Sequence, residues 1–412
     1  MALISGEVSS NGRIYIINED NNCVEHTELL STGTYLIKYL PNGKKSITFR
    51  REDGKMEGFG NVDAYSLNIP GVMYGTGRNV GGQLGLNNTT DVSTLTMAGN
   101  DSDWKLVFGC GTSSIIIKEN NTLWGCGTNT SSMLGIPVVA STLTQIGSDS
   151  NWSEVSGSTD HTLAIKTNGT LWVCGSNGGG QLGLNDRITR NTFTQVGSSD
   201  DYSTICGKLG SSYVIKKDGS LWSCGANHVG QLGLNVVSPR STFTRIGADN
   251  NWKSISNGYS YHTLFIKSNG TLWGCGQNTA GQLGLNDRTN RSTLTQIGTD
   301  TDWMMCSVSF SSSVALKMDG TLWSCGASPN GLSGALRSTF TKVGSDDDWD
   351  FVICGSNFIA TLKNDGTLWT CGTNNYGQLG LGDTVTTNVL TKVGENTWKK
   401  ISCGDTHMLG IR

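Results

Sequence analysis

Three histidines, His161, His262 and His407, stand at one position of an internal repeat. A histidine that returns on a fixed period invites a metal-ligand or general-base reading. The aligned copies carry Ser113, Ser211, Ser312 and Phe358 instead. A position that accepts serine and phenylalanine serves packing or hydrogen bonding, so neither a metal nor a catalytic role is assigned to it. Acidic turns also recur, at Asp101-Ser102-Asp103, Asp149-Ser150-Asn151, Asp249-Asn250-Asn251, Asp300-Thr301-Asp302 and Asp346-Asp347-Asp348. A calcium loop needs about six to eight oxygens and a closing bidentate glutamate, which these turns lack. Asp and Asn also shape turns by bonding to their own backbone, which accounts for the pattern without an ion. No GxSxG elbow, HExxH, P-loop or paired His/Cys ligand spacing occurs. The expectation is a non-enzyme with no catalytic residue, cofactor or metal.

Of the 12 cysteines, all but Cys23 recur at two repeat positions, the behaviour of a small packing residue rather than a disulfide framework. With 30 basic and 33 acidic residues and no long run of like charge, the chain shows no electrostatic footprint for nucleic acid or an anionic membrane. The first residues read as neither a secretory leader nor a membrane span. Synthesis in the cytoplasm, with no membrane insertion, is expected.

These residues are positioned by a repeat of roughly 50 residues. The motif LWxCG begins at Leu123, Leu171, Leu221, Leu272, Leu322 and Leu368, with a degenerate copy at Met73-Tyr74, and successive copies lie 46 to 51 residues apart. A second aromatic starts each unit, at Trp104, Trp152, Tyr202, Trp252, Trp303, Trp349 and Trp398, and the two series together use all 12 tryptophans. Each unit holds four strand-length runs separated by turn residues, as in WKSISNG, HTLFIK, TLWGCG and STLTQIG. Four strands per repeat is the pattern of a propeller blade. The second and third strands are joined by Asn168-Gly169, Asp218-Gly219, Asn269-Gly270, Asp319-Gly320 and Asp365-Gly366, dipeptides that accept the positive φ angles of a tight hairpin. GQLGL follows the third strand at 82–86, 180–184, 230–234, 281–285 and 377–381, and is eroded at 132–136 and 331–335. Its glycines permit sharp bends, and its leucines are expected to anchor the loop between blades.

The last unit stops after its second strand, and an orphan third strand stands at 72–75. Pairing of 72–75 with 409–411 then closes a ring of seven blades and removes open sheet edges. The fold class expected is all-β: a seven-bladed β-propeller over 72–412, a linker at 67–71, and a small β-sandwich over 1–66.

The period, LWxCGxNxxGQLGL and the trailing HTLAIK-type strand resemble the regulator of chromosome condensation family over about residues 71–412. The resemblance implies a seven-bladed propeller. The founding member is a guanine nucleotide exchange factor for the Ran GTPase that works through loops and a wedge-like insertion. The spacing of 46 to 51 residues leaves no room for such an insertion. A plant UV-B photoreceptor of the family uses a GWRHT-like motif, where this chain has Gly258-Tyr259-Ser260-Tyr261-His262-Thr263 without the tryptophan or arginine. Bacterial relatives that bind a protein partner need only the scaffold.

Residues 1–66 read as the strands ISGEV, RIYIIN, TGTYLIKYL and KKSITFRR, split by Asn11-Gly12 and Pro41-Asn42-Gly43. They resemble an immunoglobulin-like or carboxypeptidase-regulatory-like module of the kind that attaches bacteriophage virion proteins. The expectation is therefore a structural or accessory binding protein of a virion, with capsid, tail or host-surface partners. The alternative is a regulatory, cytoplasmic protein-interaction propeller, including exchange on a Ran-like GTPase. In both, the contact is expected at the end of the propeller formed by the first-to-second and third-to-fourth strand loops. Those loops vary most between copies and carry Arg78, Leu209, His228, Tyr259, Tyr261, Phe310 and Tyr376, types enriched at binding hot spots.

Overall fold

The computed structural model describes residues 71–136, 140–256, 258, 260–327, 332 and 336–412 in full, and the strands alone within residues 4–61. The chain divides into two compact units, Met1–Ile69 and Pro70–Arg412.

In the first unit Ile4–Glu7 pairs with Thr34–Ile37, and a four-stranded antiparallel sheet runs in the order Cys23–Thr27, Gly12–Ile17, Ser46–Arg51, Met56–Asn61. Two of these strands, Cys23–Thr27 and Met56–Asn61, are additions to the four runs read from sequence. The immunoglobulin-like packing expected of residues 1–66 lies outside the described residues.

The second unit is a propeller of seven four-stranded antiparallel sheets. Six blades each come from one continuous stretch, as in the third: Trp152–Gly157, His161–Lys166, Leu171–Gly175 and Arg190–Gln195. The first blade is composite, in the order Lys400–Cys403, His407–Ile411, Met73–Gly77, Val92–Met97. Ile411 lies opposite Met73 and His407 opposite Gly77, so the ends of the repeat array meet inside one sheet. The first strands of neighbouring blades touch around the axis, as Trp152–Gly157 touches Tyr202–Lys208, and the fourth lie outermost.

The hydrophobic pattern explains the stacking. Second strands such as His161–Lys166 and Ser312–Lys317 are buried at every position, because both sheet faces meet a neighbouring blade. Fourth strands such as Arg291–Gln296 are only partly covered and mostly polar. Each core cluster spans two consecutive blades; one joins Leu163, Ile165, Leu171 and Leu182 of the third blade to Ile205 and Val214 of the fourth.

The hairpin between second and third strands turns tightly at the dipeptides read from sequence. In the third blade Gly169 N donates to Lys166 O and Lys166 N to Thr170 O, a three-residue loop in which only Gly169 has positive φ, 85°. This is a type I turn closed by a left-handed residue. Asn168 is present for its side chain, which accepts from Thr170 N at 3.1 Å and Thr170 Oγ1 at 2.8 Å. Thr170 Oγ1 in turn accepts from Trp172 Nε1 at 3.0 Å, which ties the LW motif to its own turn.

Candidate functional site

The GQLGL loop builds the seams between blades. Gly82, with φ 80°, approaches the next blade so closely that a Cβ would collide with the Ser141 backbone. Leu84 and its equivalents Leu182, Leu232, Leu283 and Leu379 are fully buried. The glutamine carbonyl in the middle of the loop is then delivered to the following blade. Gln181 O accepts from Ser212 Oγ at 2.7 Å and from Cys224 Sγ at 3.4 Å. Cys126, Cys275 and Cys325 repeat the contact to Gln83 O, Gln231 O and Gln282 O at 3.3, 3.0 and 3.4 Å. The recurring cysteines are therefore thiol donors across seams as well as filling residues. In the first blade Thr76 takes the place of cysteine, and its hydroxyl donates to Gly377 O at 2.8 Å. The eleven described cysteines are all buried, and burial pushes thiols such as Cys126 up to about 12.

The repeat histidines complete these seams. Nε2 lies 2.7 Å from Ser212 Oγ for His161, 2.8 Å from Ser313 Oγ for His262 and 3.0 Å from Ser114 Oγ for His407. Each serine already donates its only proton to the glutamine carbonyl, at 2.7 Å in all three cases, so Nε2–H of the histidine is the donor. Histidine stands in the first, third and fifth blades and its serine in the second, fourth and sixth. The three histidines act in three separate seams and converge on no common centre.

The third seam has the composition of a hydrolytic triad. Asp160 Oδ1 is 2.9 Å from His161 Nδ1, and His161 Nε2 is 2.7 Å from Ser212 Oγ. Burial works against the Asp160 charge, but His161, Ser158 and Gln181 outweigh it and hold the carboxyl below its usual value. The geometry is that of a lock rather than an active site. Ser212 has no exposed surface, its proton is committed to Gln181 O, and Gln181 Nε2 returns to Asp160 Oδ2 at 3.0 Å.

At the opposite end of the blades, the acidic turns hold lysines. Lys166 Nζ is 2.7 Å from Asp149 Oδ2 and sits 4.9 and 4.0 Å from the ring centres of Trp152 and Trp172. Lys118, Lys216, Lys267, Lys317 and Lys363 repeat the arrangement. For Lys118, Lys317 and Lys363, burial opposes the charge but the paired aspartates override it and raise the ammonium above its ordinary value. The aspartates thus answer a cation carried by the chain itself, a role the turn-forming reading missed; the lysine ending six of the seven HTLAIK-type strands was the available signal.

The loop end gathers most of the residues read as contact candidates. The Arg78 guanidinium stacks 4.9 Å from the Tyr376 ring, across the seventh and first blades. His228 and Tyr261 meet edge to face at 4.9 Å, across the fourth and fifth. Phe310 is 53 % exposed, Leu209 is half-buried, and Tyr259 lies outside the described residues. Nearer the axis, Phe108, Gly109, Gly157, Gly258, Ile353, Cys354 and Cys403 line a small recess.

The signature described as the regulator of chromosome condensation (RCC1) repeat matches residues 365–411, and a second signature of that description matches 152–181 and 252–282. The chain carries RCC1 repeats. The RCC1-type ring is also seen in solved structures. Human WBSCR16 is 18% identical, covering 82% of this chain and 98% of its own, with a TM-score of 0.74. Prp20p from Saccharomyces cerevisiae, solved in work on its binding to Gsp1p and histones, is 18% identical over 83% of this chain and 91% of its own, TM-score 0.73. Yeast RCC1 (Prp20) bound to Kap60 is 17% identical over 84% and 90%, TM-score 0.76. Comparison with curated proteins gives no match.

Proposed function

We propose that the protein is a regulatory interaction scaffold whose loop end binds a protein partner through Arg78, Leu209, His228, Tyr259, Tyr261, Phe310 and Tyr376. The observation that carries this reading is the distribution of exposed apolar side chains. Of the ten large exposed ones among the described residues, Val80, Ile188, Val236, Val237, Phe310, Leu336 and Val385 lie on loops at that end, and only Met97, Met318 and Val389 lie elsewhere. The lysines at the other end are already engaged within their blades. Solved propellers of this kind are described with protein partners, Gsp1p, histones and Kap60, and this supports a protein rather than a small molecule as the ligand class. The virion role rested on residues 1–66 and finds no support in the propeller or the comparisons; the regulatory alternative fits better.

Exchange on a Ran-like GTPase is the specific activity to test. The full chain and a Val237→Asp/Phe310→Asp variant are compared for binding to such a GTPase and for release of its labelled GDP. Binding weakened at least tenfold in the variant, with an unchanged melting temperature, supports the loop end. Binding that survives in this variant and is lost in Lys217→Glu places the contact on the opposite end.

A further inference from the structure

The loop end of the ring is not uniform in charge, and the asymmetry originates in the loop between third and fourth strands. After GQLGL the third blade continues Asn185-Asp186-Arg187-Ile188-Thr189-Arg190 and the fifth Asn286-Asp287-Arg288-Thr289-Asn290-Arg291. In both, the aspartate shapes the turn by accepting from the N–H two residues on, Ile188 N and Thr289 N at 2.9 Å, and the arginine that opens the fourth strand pairs with it. Elsewhere the pair comes apart. In the fourth blade Val236 stands in place of the aspartate while Arg240 is kept, and in the seventh Asp383 is kept while Thr387 stands in place of the arginine. A clamp needed only to hold the loop would keep or lose both members together. Asp383 still shapes its turn, accepting from Val385 N at 3.0 Å, whereas Arg240 donates to neutral oxygens, Ser238 Oγ at 3.0 Å and Pro239 O at 3.4 Å.

The result is an arc of positive charge over four consecutive blades, the third to the sixth. Arg187 and Arg288 are exposed, and Arg240 and Arg337 open the fourth strands of the fourth and sixth blades half-buried. The acids of the same arc are already engaged: Asp186 and Asp287 by Arg190 and Arg291, and Asp160 by His161, Ser158 and Gln181. The corresponding loops of the seventh, first and second blades carry Asp383, Asp405 and Asp91 with one arginine, Arg78. A second, independent feature follows the same division. Of the large exposed apolar side chains at the loop end, Ile188, Val236, Val237, Phe310 and Leu336 lie on the arc, and Val80 and Val385 lie outside it. Ile188 stands between Arg187 and Arg190, and Leu336 directly precedes Arg337.

We infer that the partner proposed above presents an acidic protein segment with interspersed apolar side chains, and docks it on the arc of the third to sixth blades. The inference rests on the loop-end reading and adds the partner's chemistry and the part of the ring that meets it. Arginine suits carboxylates because its planar guanidinium bonds both oxygens at once, and apolar neighbours exclude water from such pairs. The apolar residues set beside these arginines are aliphatic, which suits a protein segment better than a nucleic acid strand, whose bases stack on aromatic rings.

A yeast-displayed library of random peptides is panned on the native full chain and, in parallel, on Arg187→Glu/Arg288→Glu, whose melting temperature should match the wild type because both side chains are exposed. Peptides enriched on the wild type should be rich in Asp and Glu with interspersed Leu or Phe. A resynthesised one should bind the variant at least tenfold more weakly, and bind the wild type more weakly as salt rises. An empty selection, or enriched peptides that are neutral or basic or that bind the variant as well as the wild type, overturns the inference. Loss of binding in Val80→Asp/Val385→Asp alone also overturns it but keeps the loop end as the contact, whereas loss in Lys217→Glu alone removes the loop-end reading with it. A short DNA duplex bound more tightly than any such peptide overturns it in favour of nucleic acid.

Discussion

His161 Nε2 and Ser212 Oγ meet at 2.7 Å across the seam of the third and fourth blades, and the serine passes its own proton on to the Gln181 carbonyl. One blade thus supplies both ends of a hydrogen-bond chain whose middle member belongs to its neighbour. Ser212→Ala leaves a buried imidazole N–H unpaired and the Gln181 carbonyl with only the Cys224 thiol, which costs about 1–3 kcal/mol. Urea unfolding should show the loss as a lower midpoint with an unchanged slope. Background hydrolysis of an activated ester should not change, and a drop there would revive the triad as chemistry.

Stability should fall in acid because of the buried histidines. Burial lowers His407 to about 3, and burial together with the Lys208 charge takes His262 well below its ordinary value. Among the described residues, Nδ1 of neither has a hydrogen-bond partner. Between the unfolded value near 6.5 and the folded value, the unfolded chain binds protons that the folded chain refuses, so stability is complete above about 6.5 and declines as pH drops toward 3. At full effect each such group contributes a slope of about 1.4 kcal/mol per pH unit. His407→Phe, which copies the natural Phe358, should flatten the dependence of melting temperature on pH between 6.5 and 4. A variant with the wild-type slope would contradict this assignment.

The lysine cages should depend on their rings more than on their carboxylates. Lys166 lies between Trp152 and Trp172, whereas Asp149 is half exposed. Asp149→Asn should cost about 0–1 kcal/mol, as exposed ion pairs do. Lys166→Ala, which loses the buried stem and both ring contacts, should cost about 2 kcal/mol. Chemical denaturation of the two variants tests the order, and a larger loss for Asp149→Asn would reverse it.

Removal of residues 405–412 takes away the strand paired with Met73–Gly77 and exposes a sheet edge on both sides of the gap. The truncated protein should melt well below the wild type and associate through the open edge, as seen by calorimetry and light scattering. Wild-type melting by the truncated chain would mean that closure contributes nothing.

Much of the architecture is legible in the sequence because its determinants are local and repeated. The Trp104 and Leu123 series set blade number and strand count, and the last unit, lacking a third strand, pointed to the orphan strand beginning near Met73. The loop glycines declared their bends through residue type alone, and Gly82 and Gly85 have φ of 80° and 68°. The hairpin of Asn168-Gly169 shows where local reasoning stops: the dipeptide marks the turn, but its length follows from how Lys166 and Thr170 pair.

Only the tertiary structure decided what the repeated polar residues do. His161 and Ser212 are 51 positions apart and belong to different blades, so neither sequence spacing nor strand pattern links them. The same holds for Cys224 and the Gln181 carbonyl, and for Arg78 and Tyr376, which meet because the ring brings its seventh blade back to its first. A strand's periodicity states which side chains are buried; which partner a buried donor finds depends on the neighbouring blade, and that neighbour is placed by the closure of the whole ring.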